Sequence, residues 1–263
     1  MKKLKNLLKI LMMLFHYKKK RKDRMEYFLA AKFAYKTPSI GNENSASSIA
    51  REAYPKLQKA FYFDSKETDA QYYTVILEDR IVFALRGSSS VSDFLADATF
   101  WKAQCPEIGI KDVFVHNGFY KQFSSLKFDI MATVFSQARK KDRPRFEFVG
   151  HSLGGALATL AAAITKSLVP KSEVSCVTFG SPRVGNSAFA AFFNEKVDKS
   201  VRYVNGNDAV TMAPRISYEH VAGLHLLGTA KTDFFSTYFG RVNDHMLDEV
   251  LKGLVLDSGK TDI

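Results

Sequence analysis

The sequence predicts an α/β fold in which a mostly parallel sheet carries helices on both faces. Short β-branched and aromatic runs alternate along the chain with longer segments of helical periodicity, which is the pattern of strand–helix–strand units. The 263 residues, of which 46% are hydrophobic, are enough for one large domain with a substantial core. In addition, a glycine-rich hexamer at residues 150–155 joins one apolar run directly to a helical segment.

The first predicted elements are a helix and a hairpin. A helical pattern runs from about residue 47 to residue 61, although Pro55 interrupts it. Gln71–Glu78 and Ile81–Leu85 are rich in β-forming residues and are separated by a short charged turn. Two such runs with a short connection predict an antiparallel hairpin.

The rest of the chain alternates between strand and helix patterns. Strands are predicted at Asp112–Val115, Arg145–Val149, Val174–Phe179 and Ser200–Val204. Helices are predicted at residues 119–138, Ala156–Lys166 and Asn186–Lys196. Because no linker or internal repeat divides residues 25–263, we expect them to form a single domain, preceded by a tail at residues 1–24.

The positive charge of the chain is concentrated in this tail. The net charge is +11, but residues 1–24 contain ten Lys or Arg and one Asp, which leaves the remainder close to neutral. A nucleic-acid-binding domain normally carries its charge on a folded face, so nucleic acid is an unlikely partner. The two cysteines are too few for a disulfide framework, and no Cys/His spacing indicates a structural zinc site.

The hexamer Gly-His-Ser-Leu-Gly-Gly has the pattern of a nucleophile elbow, the strand–helix turn G-x-S-x-G. The tight turn requires positions two before and two after the serine to lack side chains, and these are Gly150 and Gly154. The hydroxyl of Ser152 would stand clear of the sheet, and the amide of Leu153 would face an oxyanion formed beside it. The alternative is a glycine-rich turn with a solvated serine.

A serine nucleophile needs a base and a carboxylate that orients the base. In the hydrolase order of serine, acid and histidine, Asp208 is the best acid, because it follows a predicted strand. Spacing favours His245 as the base, shortly before a final helical segment, with His220 as its rival. His225 alternates with leucines, which is typical of strand packing, and His151 is expected to support the elbow.

A second oxyanion donor is expected where an earlier strand meets a loop. The predicted strand Ile81–Leu85 runs into Arg-Gly-Ser-Ser-Ser, where Ser88 offers both an amide and a hydroxyl. The alternative for this segment is a polar, serine-rich loop. Residues 91–100 then show helical spacing and form either a packed helix or a short lid whose apolar side meets lipid.

Taken together, these segments resemble the class 3 lipases, the fungal-type triacylglycerol lipase family with an α/β-hydrolase fold. The segments that carry the resemblance run in the family's order and cover about residues 70–250. They are Val82–Ser88, Ser92–Asp97, His116–Phe119, Gly150–Gly155, Thr178–Asn186, Asn207–Val210 and Asp244-His245.

The resemblance implies Ser152 as nucleophile, Asp208 as acid and His245 as base, with Ser88 and Leu153 forming the oxyanion hole. It implies a non-catalytic role for His220. The chain departs from the family where the proline-rich segment after the acid is reduced to Met212-Ala213-Pro214. It also lacks an aromatic residue just after His245 and the cysteines for the disulfides of secreted members.

The expected activity is therefore hydrolysis of lipid esters at an interface, through an acyl-enzyme on Ser152 and with no cofactor or metal ion. Phospholipase A1, galactolipase and soluble-ester esterase are alternatives within the same chemistry. A non-catalytic, lipase-like binding module is an alternative of a different class, since a fold alone does not establish activity.

Besides a solvated extension, the tail has three alternative roles, one of which is nuclear import, since the run Lys18–Lys22 resembles an import signal. Its basic start and apolar centre resemble a secretory signal, but no small-residue cleavage site precedes the second basic cluster. A short apolar segment, Leu7–Phe15, beside closely spaced positive charges fits the surface of an anionic membrane. On this basis a peripheral-membrane or cytoplasmic location is favoured over secretion.

We predict that deleting residues 2–24 reduces binding to anionic liposomes, because each basic residue near the lipid contributes roughly 1 kcal/mol. Co-sedimentation of the full-length and shortened chains measures the difference, with neutral liposomes as the control. Equal binding of both chains would exclude the tail as a membrane contact.

Overall fold

A computed structural model describes residues 22–39, 42, 44–87, 101–228 and 241–257 of the chain. Its strands are β1 Lys59–Ser65, β2 Ala70–Ile76, β3 Ile81–Leu85, β4 Lys102–Gln104, β5 Phe114–His116, β6 Arg145–His151, β7 Glu173–Phe179, β8 Lys199–Asn205 and β9 Leu224–Leu227. Its helices are α1 at residues 22–33, α2 Ser45–Ala50, α3 Asn117–Ala138, α4 Leu153–Leu168, α5 Ser187–Lys196, α6 Val242–His245 and α7 Leu247–Asp257.

The main sheet has seven strands in the order β1-β2-β3-β6-β7-β8-β9. The first three strands are antiparallel neighbours, whereas β3, β6, β7, β8 and β9 run parallel. Parallel strands need crossover connections, and these contain α3, α4 and α5. Because the parallel strands point the same way, the loops that follow β3, β6, β7 and β8 meet at one edge of the sheet.

Helices cover both faces of the sheet, and each face has its own apolar core. Successive strand residues point to opposite faces, so Tyr72 and Phe148 lie in one core while Tyr73 and Val149 lie in the other. The first core contains residues of α3, α4 and α5, and the second contains residues of α1, α2 and α7. This arrangement confirms the predicted mostly parallel sheet with helices on both faces.

The observed elements differ from the predicted ones mainly near the amino terminus. Residues 59–61 were predicted to end a helix, but they begin β1, because Phe61 and Tyr62 pair with Thr74 and Tyr73 of β2. Aromatic residues fit this half-buried strand surface better than a helix interrupted by proline. Residues 22–24, which the sequence analysis placed in the tail, lie in α1.

A buried ion-pair network lies toward the edge of the sheet that is opposite to the elbow. Glu147, in the middle of the sheet on β6, is only 6% exposed. Its Oε2 accepts a hydrogen bond of 2.9 Å from Nε of Arg80, and Arg80 also pairs with Glu26. Burial raises the pKa of the Glu147 carboxyl, and the Arg80 guanidinium opposes this shift. The Arg80 guanidinium therefore offsets part of the free-energy cost of burying the Glu147 carboxylate.

Within the parts of the chain that the structure describes, no helix combines the length and the apolar character needed to cross a membrane.

We predict that Arg80→Met lowers the free energy of unfolding by about 3–5 kcal/mol at neutral pH, because it leaves the Glu147 carboxylate buried and unpaired. Without Arg80 the pKa of Glu147 rises further, so the variant holds a neutral carboxyl at acid pH. The difference in unfolding free energy between this variant and the wild type should therefore become smaller as the pH falls from 7 to 5. Urea unfolding at both pH values measures the effect.

The control is Lys171→Met. The pair between Lys171 and Asp142 is 3.6 Å long, and the two side chains are 80% and 93% exposed. Such an exposed pair contributes less than about 1 kcal/mol. Equal losses in both variants would show that burial of Glu147 carries no special cost.

Candidate active site

Ser152 lies on the sharp turn between β6 and α4. Its φ is +58° and its ψ is −129°, a conformation that side-chain-bearing residues rarely adopt. The turn is held by a 2.9 Å hydrogen bond from the Ser152 amide to the carbonyl oxygen of Phe179 at the end of β7. This geometry is the elbow that the hexamer predicts.

The two glycines of the elbow are required by close backbone contacts. A Cβ atom on Gly150 would lie 2.1 Å from the carbonyl oxygen of Gly154. A Cβ atom on Gly154 would lie 2.2 Å from the carbonyl oxygen of Leu85 at the end of β3. Helix α4 can therefore start directly against β3 and β6 only because neither position carries a side chain.

The predicted acid and base are in direct contact. Asp208 follows β8, and its Oδ1 and Oδ2 lie 3.0 Å and 2.9 Å from Nδ1 of His245, the last residue of α6. Both side chains are completely buried. Because a carboxylate accepts hydrogen bonds, Nδ1 carries the proton and Nε2 presents a lone pair.

No hydrogen bond joins the predicted nucleophile to the predicted base in the described part of the chain. Among the residues that the structure describes, none is a hydrogen-bond partner of His245 Nε2, which is buried. Gly180, which follows β7, lies against the acid–base pair, since a Cβ atom there would be 2.6 Å from Asp208 Oδ2 and 2.7 Å from His245 Nδ1. Hydrogen bonds between nucleophile and base are often long or misaligned until substrate binds.

His151 connects the elbow to the base. Its Nε2 is 2.8 Å from the carbonyl oxygen of His245, its Nδ1 is 2.8 Å from the hydroxyl oxygen of Tyr35, and its ring stacks at a tilt 4.6 Å from that of His245. Burial, with a smaller contribution from His245, lowers the pKa of His151 to about 3. With so low a pKa and with both ring nitrogens already hydrogen-bonded, His151 is a poor proton acceptor and is not suited to be the base.

Asp244 links the segment that carries His245 to the loop that carries Asp208. The sequence did not reveal this role. Its Oδ2 accepts a 2.9 Å hydrogen bond from the amide of Asn207, and its Oδ1 lies 3.1 Å from Nη1 of Arg241. Its carbonyl oxygen accepts a hydrogen bond from Asn205 at the end of β8. The only sequence signal was its position directly before His245.

The other two candidate histidines have different partners. His220 Nε2 lies 2.7 Å from the carbonyl oxygen of Thr211, and burial, reinforced by the nearby Arg202 and Arg183, lowers the pKa of His220 to about 3. His225, on β9, lies 3.0 Å from Asp257. Of the histidines that the structure describes, His245 is thus the one that contacts Asp208.

The predicted oxyanion donors are placed only in part. Leu153 is the first residue of α4, where the amides have no carbonyl four residues earlier to bind. Ser88 and the lid-like residues 91–100 lie outside the described residues. Gly87, directly before Ser88, packs beside the elbow, because a Cβ atom there would be 3.2 Å from Cβ of Ser152.

Among the described residues, neither a cluster of metal-ligating side chains nor the cavity at the opposite sheet edge forms part of this site. Across residues 22–39, 42, 44–87, 101–228 and 241–257, no group of three His, Cys, Asp or Glu side chains is arranged to hold a metal ion. A cavity of about 790 Å³ is lined by Met25, Leu29, Tyr54 and Arg80, among others. It opens at the amino end of β3, on the opposite sheet edge from Ser152, and so does not belong to this site.

A serine on a strained strand–helix turn and a buried Asp–His pair, all at the carboxyl edge of a parallel sheet, define an α/β-hydrolase fold. The family model described as "Lipase (class 3)" matches residues 82–218, which is more than half of the chain. The chain belongs to this family.

Curated relatives and solved structures agree with this assignment. The chain is 37% identical over 147 residues to "Secreted mono- and diacylglycerol lipase 1" of Fusarium solani, a match that covers 54% of the chain and 42% of that protein. Lipase II from Rhizopus niveus superposes with a TM-score of 0.73 at 24% identity, covering 87% of this chain and 93% of that one. A mutant of MDLA from Penicillium cyclopium superposes with a TM-score of 0.64 at 26% identity, covering 80% and 81%.

A lipase of Malassezia globosa, also named as secreted, is 30% identical over 174 residues, covering 63% of the chain and 57% of that protein. The matched segments thus span about half the length of the curated relatives. These names overturn the expected peripheral-membrane or cytoplasmic location, which is wrong. The expectation rested on the basic tail, yet a basic start followed by an apolar segment is equally the pattern of a secretory signal.

We predict that the free energy of unfolding of His220→Gln depends less on pH, between pH 7.5 and 4, than that of the wild type. The lowered pKa of His220 means that the unfolded chain binds a proton below about pH 6.5, whereas the folded chain does not until about pH 3. The contribution of neutral His220 to the free energy of unfolding is therefore fully present above pH 6.5. It is lost as the pH falls, by up to about 1.4 kcal/mol per pH unit. Glutamine can donate to Thr211 but does not titrate.

Urea unfolding of both proteins between pH 7.5 and 4 measures the two slopes. At pH 7.5 neither side chain gains a proton, so the difference there isolates the effects of shape and hydrogen bonding. Parallel curves over the whole range would contradict the prediction.

Proposed function

We propose that the chain is a serine carboxylester hydrolase that cleaves lipid esters, with Ser152 as nucleophile, His245 as base and Asp208 as the orienting acid. The observation that carries the proposal is the buried contact between Asp208 and His245, which leaves Nε2 without a partner among the described residues. The His245 ring lies 4.6 Å from that of His151, the residue before Ser152 on the strained turn. This arrangement supplies each group that acyl transfer requires.

In the first half of the reaction, Nε2 of His245 takes the proton of the Ser152 hydroxyl while the oxygen attacks the ester carbonyl. Asp208 holds the imidazole in the tautomer that accepts this proton and stabilises the imidazolium that results. When the tetrahedral intermediate collapses, His245 gives the proton to the leaving alcohol, and an acyl-enzyme remains. Water, deprotonated by the same imidazole, then releases the carboxylic acid and restores Ser152.

The negative oxygen of the tetrahedral intermediate needs donors that are fixed in advance. The amide of Leu153 is one, because it opens α4 and the positive end of the helix dipole adds to its effect. Ser88 is the proposed second donor on the basis of the family resemblance and its place after Arg86-Gly87. Each such donor typically contributes about 2.7–4 kcal/mol to transition-state stabilisation.

The proposed substrates are acylglycerols presented at a lipid interface. The names of relatives such as the Fusarium solani mono- and diacylglycerol lipase support this choice over a phospholipid, a galactolipid or a soluble ester. A non-catalytic binding module is less well supported, because such a protein has no need to keep an acid and an imidazole in contact inside the fold.

We also propose that residues 25–263 form one domain and that the chain is exported, as the relatives' names state for those proteins. The affinity of the basic tail for an anionic lipid surface stays a prediction, since residues 1–21 lie outside the described ones.

We predict that Ser152→Ala abolishes covalent labelling by a fluorophosphonate and lowers kcat on p-nitrophenyl butyrate by at least about 10⁴-fold, because no other group can form the acyl-enzyme. Intact-protein mass spectrometry and ester hydrolysis measure the two effects. The control is Ser181→Ala, which removes a neighbouring buried serine whose hydroxyl donates to the carbonyl oxygen of Pro182.

Labelling should persist in Ser181→Ala. Stoichiometric labelling of Ser152→Ala would refute the nucleophile assignment, and a folded wild type that neither labels nor hydrolyses any ester would favour the binding module. Product analysis after incubation with mixed emulsions of mono-, di- and triacylglycerol, phospholipid and galactolipid then identifies the substrate class.

A further inference from the structure

The hydroxyl of Tyr35 begins a chain of two hydrogen bonds that ends on the main chain of His245. The distances are 2.8 Å from Tyr35 Oη to Nδ1 of His151 and 2.8 Å from Nε2 of His151 to the His245 carbonyl oxygen. A carbonyl oxygen can only accept, so Nε2 of His151 donates. In a neutral imidazole the other nitrogen must then accept, so the Tyr35 hydroxyl donates to Nδ1.

Tyr35 also packs against the strand that leads to the predicted oxyanion residue. A Cβ atom on Gly87 would lie only 2.3 Å from Tyr35 Oη, so the hydroxyl occupies the space that a side chain would need. The guanidinium of Arg86 lies 6.0 Å from the centre of the Tyr35 ring. One tyrosine therefore touches the end of β3 and the residue before the nucleophile, and it reaches the base through His151.

Neither member of this chain titrates near neutral pH. Burial is the main cause of the low pKa of His151, about 3, and it also raises the pKa of the Tyr35 hydroxyl well above its ordinary value. The hydrogen bonds therefore keep one direction over the range in which esters are hydrolysed. The His245 carbonyl thus fixes the tautomer of His151, and the Tyr35 hydroxyl donates to the Nδ1 lone pair of that tautomer and so holds the ring in its orientation.

We propose that Tyr35 is a positioning residue, which acts through His151 to hold the main chain of His245 and so aims Nε2 of the base at the elbow. The inference rests on the proposed function of Ser152 and His245. Asp208 already contacts the imidazole on its Nδ1 side, but that contact does not by itself fix the main chain that carries the ring. The bond from His151 anchors the backbone from which the imidazole extends.

Such a role predicts a specific kinetic pattern. The Tyr35 hydroxyl is hydrogen-bonded to protein and is separated from the base by His151, so its loss should change proton transfer more than ester binding. The expected result for Tyr35→Phe is a 10- to 100-fold lower kcat, the range in which small misplacements of reacting groups fall, with KM changed less than about twofold. The rate of fluorophosphonate labelling should fall by about the same factor as kcat, because both reactions need the base.

The matched control is Tyr73→Phe in the full-length protein. Tyr73 is a buried tyrosine whose hydroxyl donates a 2.6 Å hydrogen bond to the carbonyl of Lys36, the residue after Tyr35. This variant loses the same kind of group next to the same loop, without touching His151. Its thermal stability should fall as in Tyr35→Phe, while its kcat and labelling rate stay within about twofold of wild type.

A double-mutant cycle separates action through His151 from a general packing effect. His151→Leu removes the donor to the His245 carbonyl, so adding Tyr35→Phe to it should cause no further loss of kcat. His151→Gln retains a donor near the position of Nε2 and should recover most of the kcat lost in His151→Leu. Circular dichroism establishes that each compared variant is folded.

The outcomes distinguish this inference from the proposed function. If wild type is not labelled by the fluorophosphonate, the proposed function fails, whatever the tyrosine variants show. If wild type is labelled at Ser152 but Tyr35→Phe and Tyr73→Phe have the same kcat and labelling rate, the positioning role alone is wrong. Full additivity of Tyr35→Phe and His151→Leu would also overturn it.

Discussion

The close approach of α4 to β3 and β6 is the constraint on which the site depends. The helix begins one residue after Ser152, and its first turn lies so near the carbonyl oxygen of Leu85 that Gly154 has no room for a side chain. The chain can make this turn only if Ser152 accepts a positive φ, which a serine adopts at a cost of about 1–3 kcal/mol. The surrounding core, which packs α4 into the sheet, offsets that cost.

The parallel sheet then determines which loops meet at the serine. The neighbouring strands β3, β6, β7 and β8 end at the same edge, and their following residues include Gly87, Ser152, Gly180 and Asp208. Two of these positions are glycines because other groups occupy the space of a side chain: Tyr35 Oη and the His151 carbonyl oxygen at Gly87, and Asp208 and His245 at Gly180. The catalytic arrangement is thus a consequence of strand order together with small residues at two of the four strand ends.

The sequence was most informative where a local pattern corresponds to a local structure. The elbow could be predicted because the spacing of Gly150, Ser152 and Gly154 expresses a steric requirement within five residues. The contact between Asp208 and His245 required the family resemblance as well, since two residues 37 positions apart leave no periodic signal and His220 was spaced almost as well. Asp244 was visible only as a neighbour of His245, and its bond to the amide of Asn207 depends on how α6 docks on the loop after β8.

The contact between Tyr35 and His151 could not be predicted from the sequence, because the two residues are 116 positions apart and Tyr35 belongs to no motif. Proximity to the proposed nucleophile does not by itself make a histidine the proposed base. His151 adjoins Ser152, but burial is the main cause of its low pKa, and both of its ring nitrogens already have hydrogen-bond partners. The Nδ1 of His245 contacts the buried carboxylate of Asp208, and such a partner stabilises the imidazolium that would form in the proposed reaction when the serine gives up its proton. His225 also contacts a carboxylate, but Asp257 is shared with Arg24 and both partners are partly exposed. The choice of base is therefore decided by what the ring touches, and its spacing in the chain is a consequence of the fold that brings those partners together.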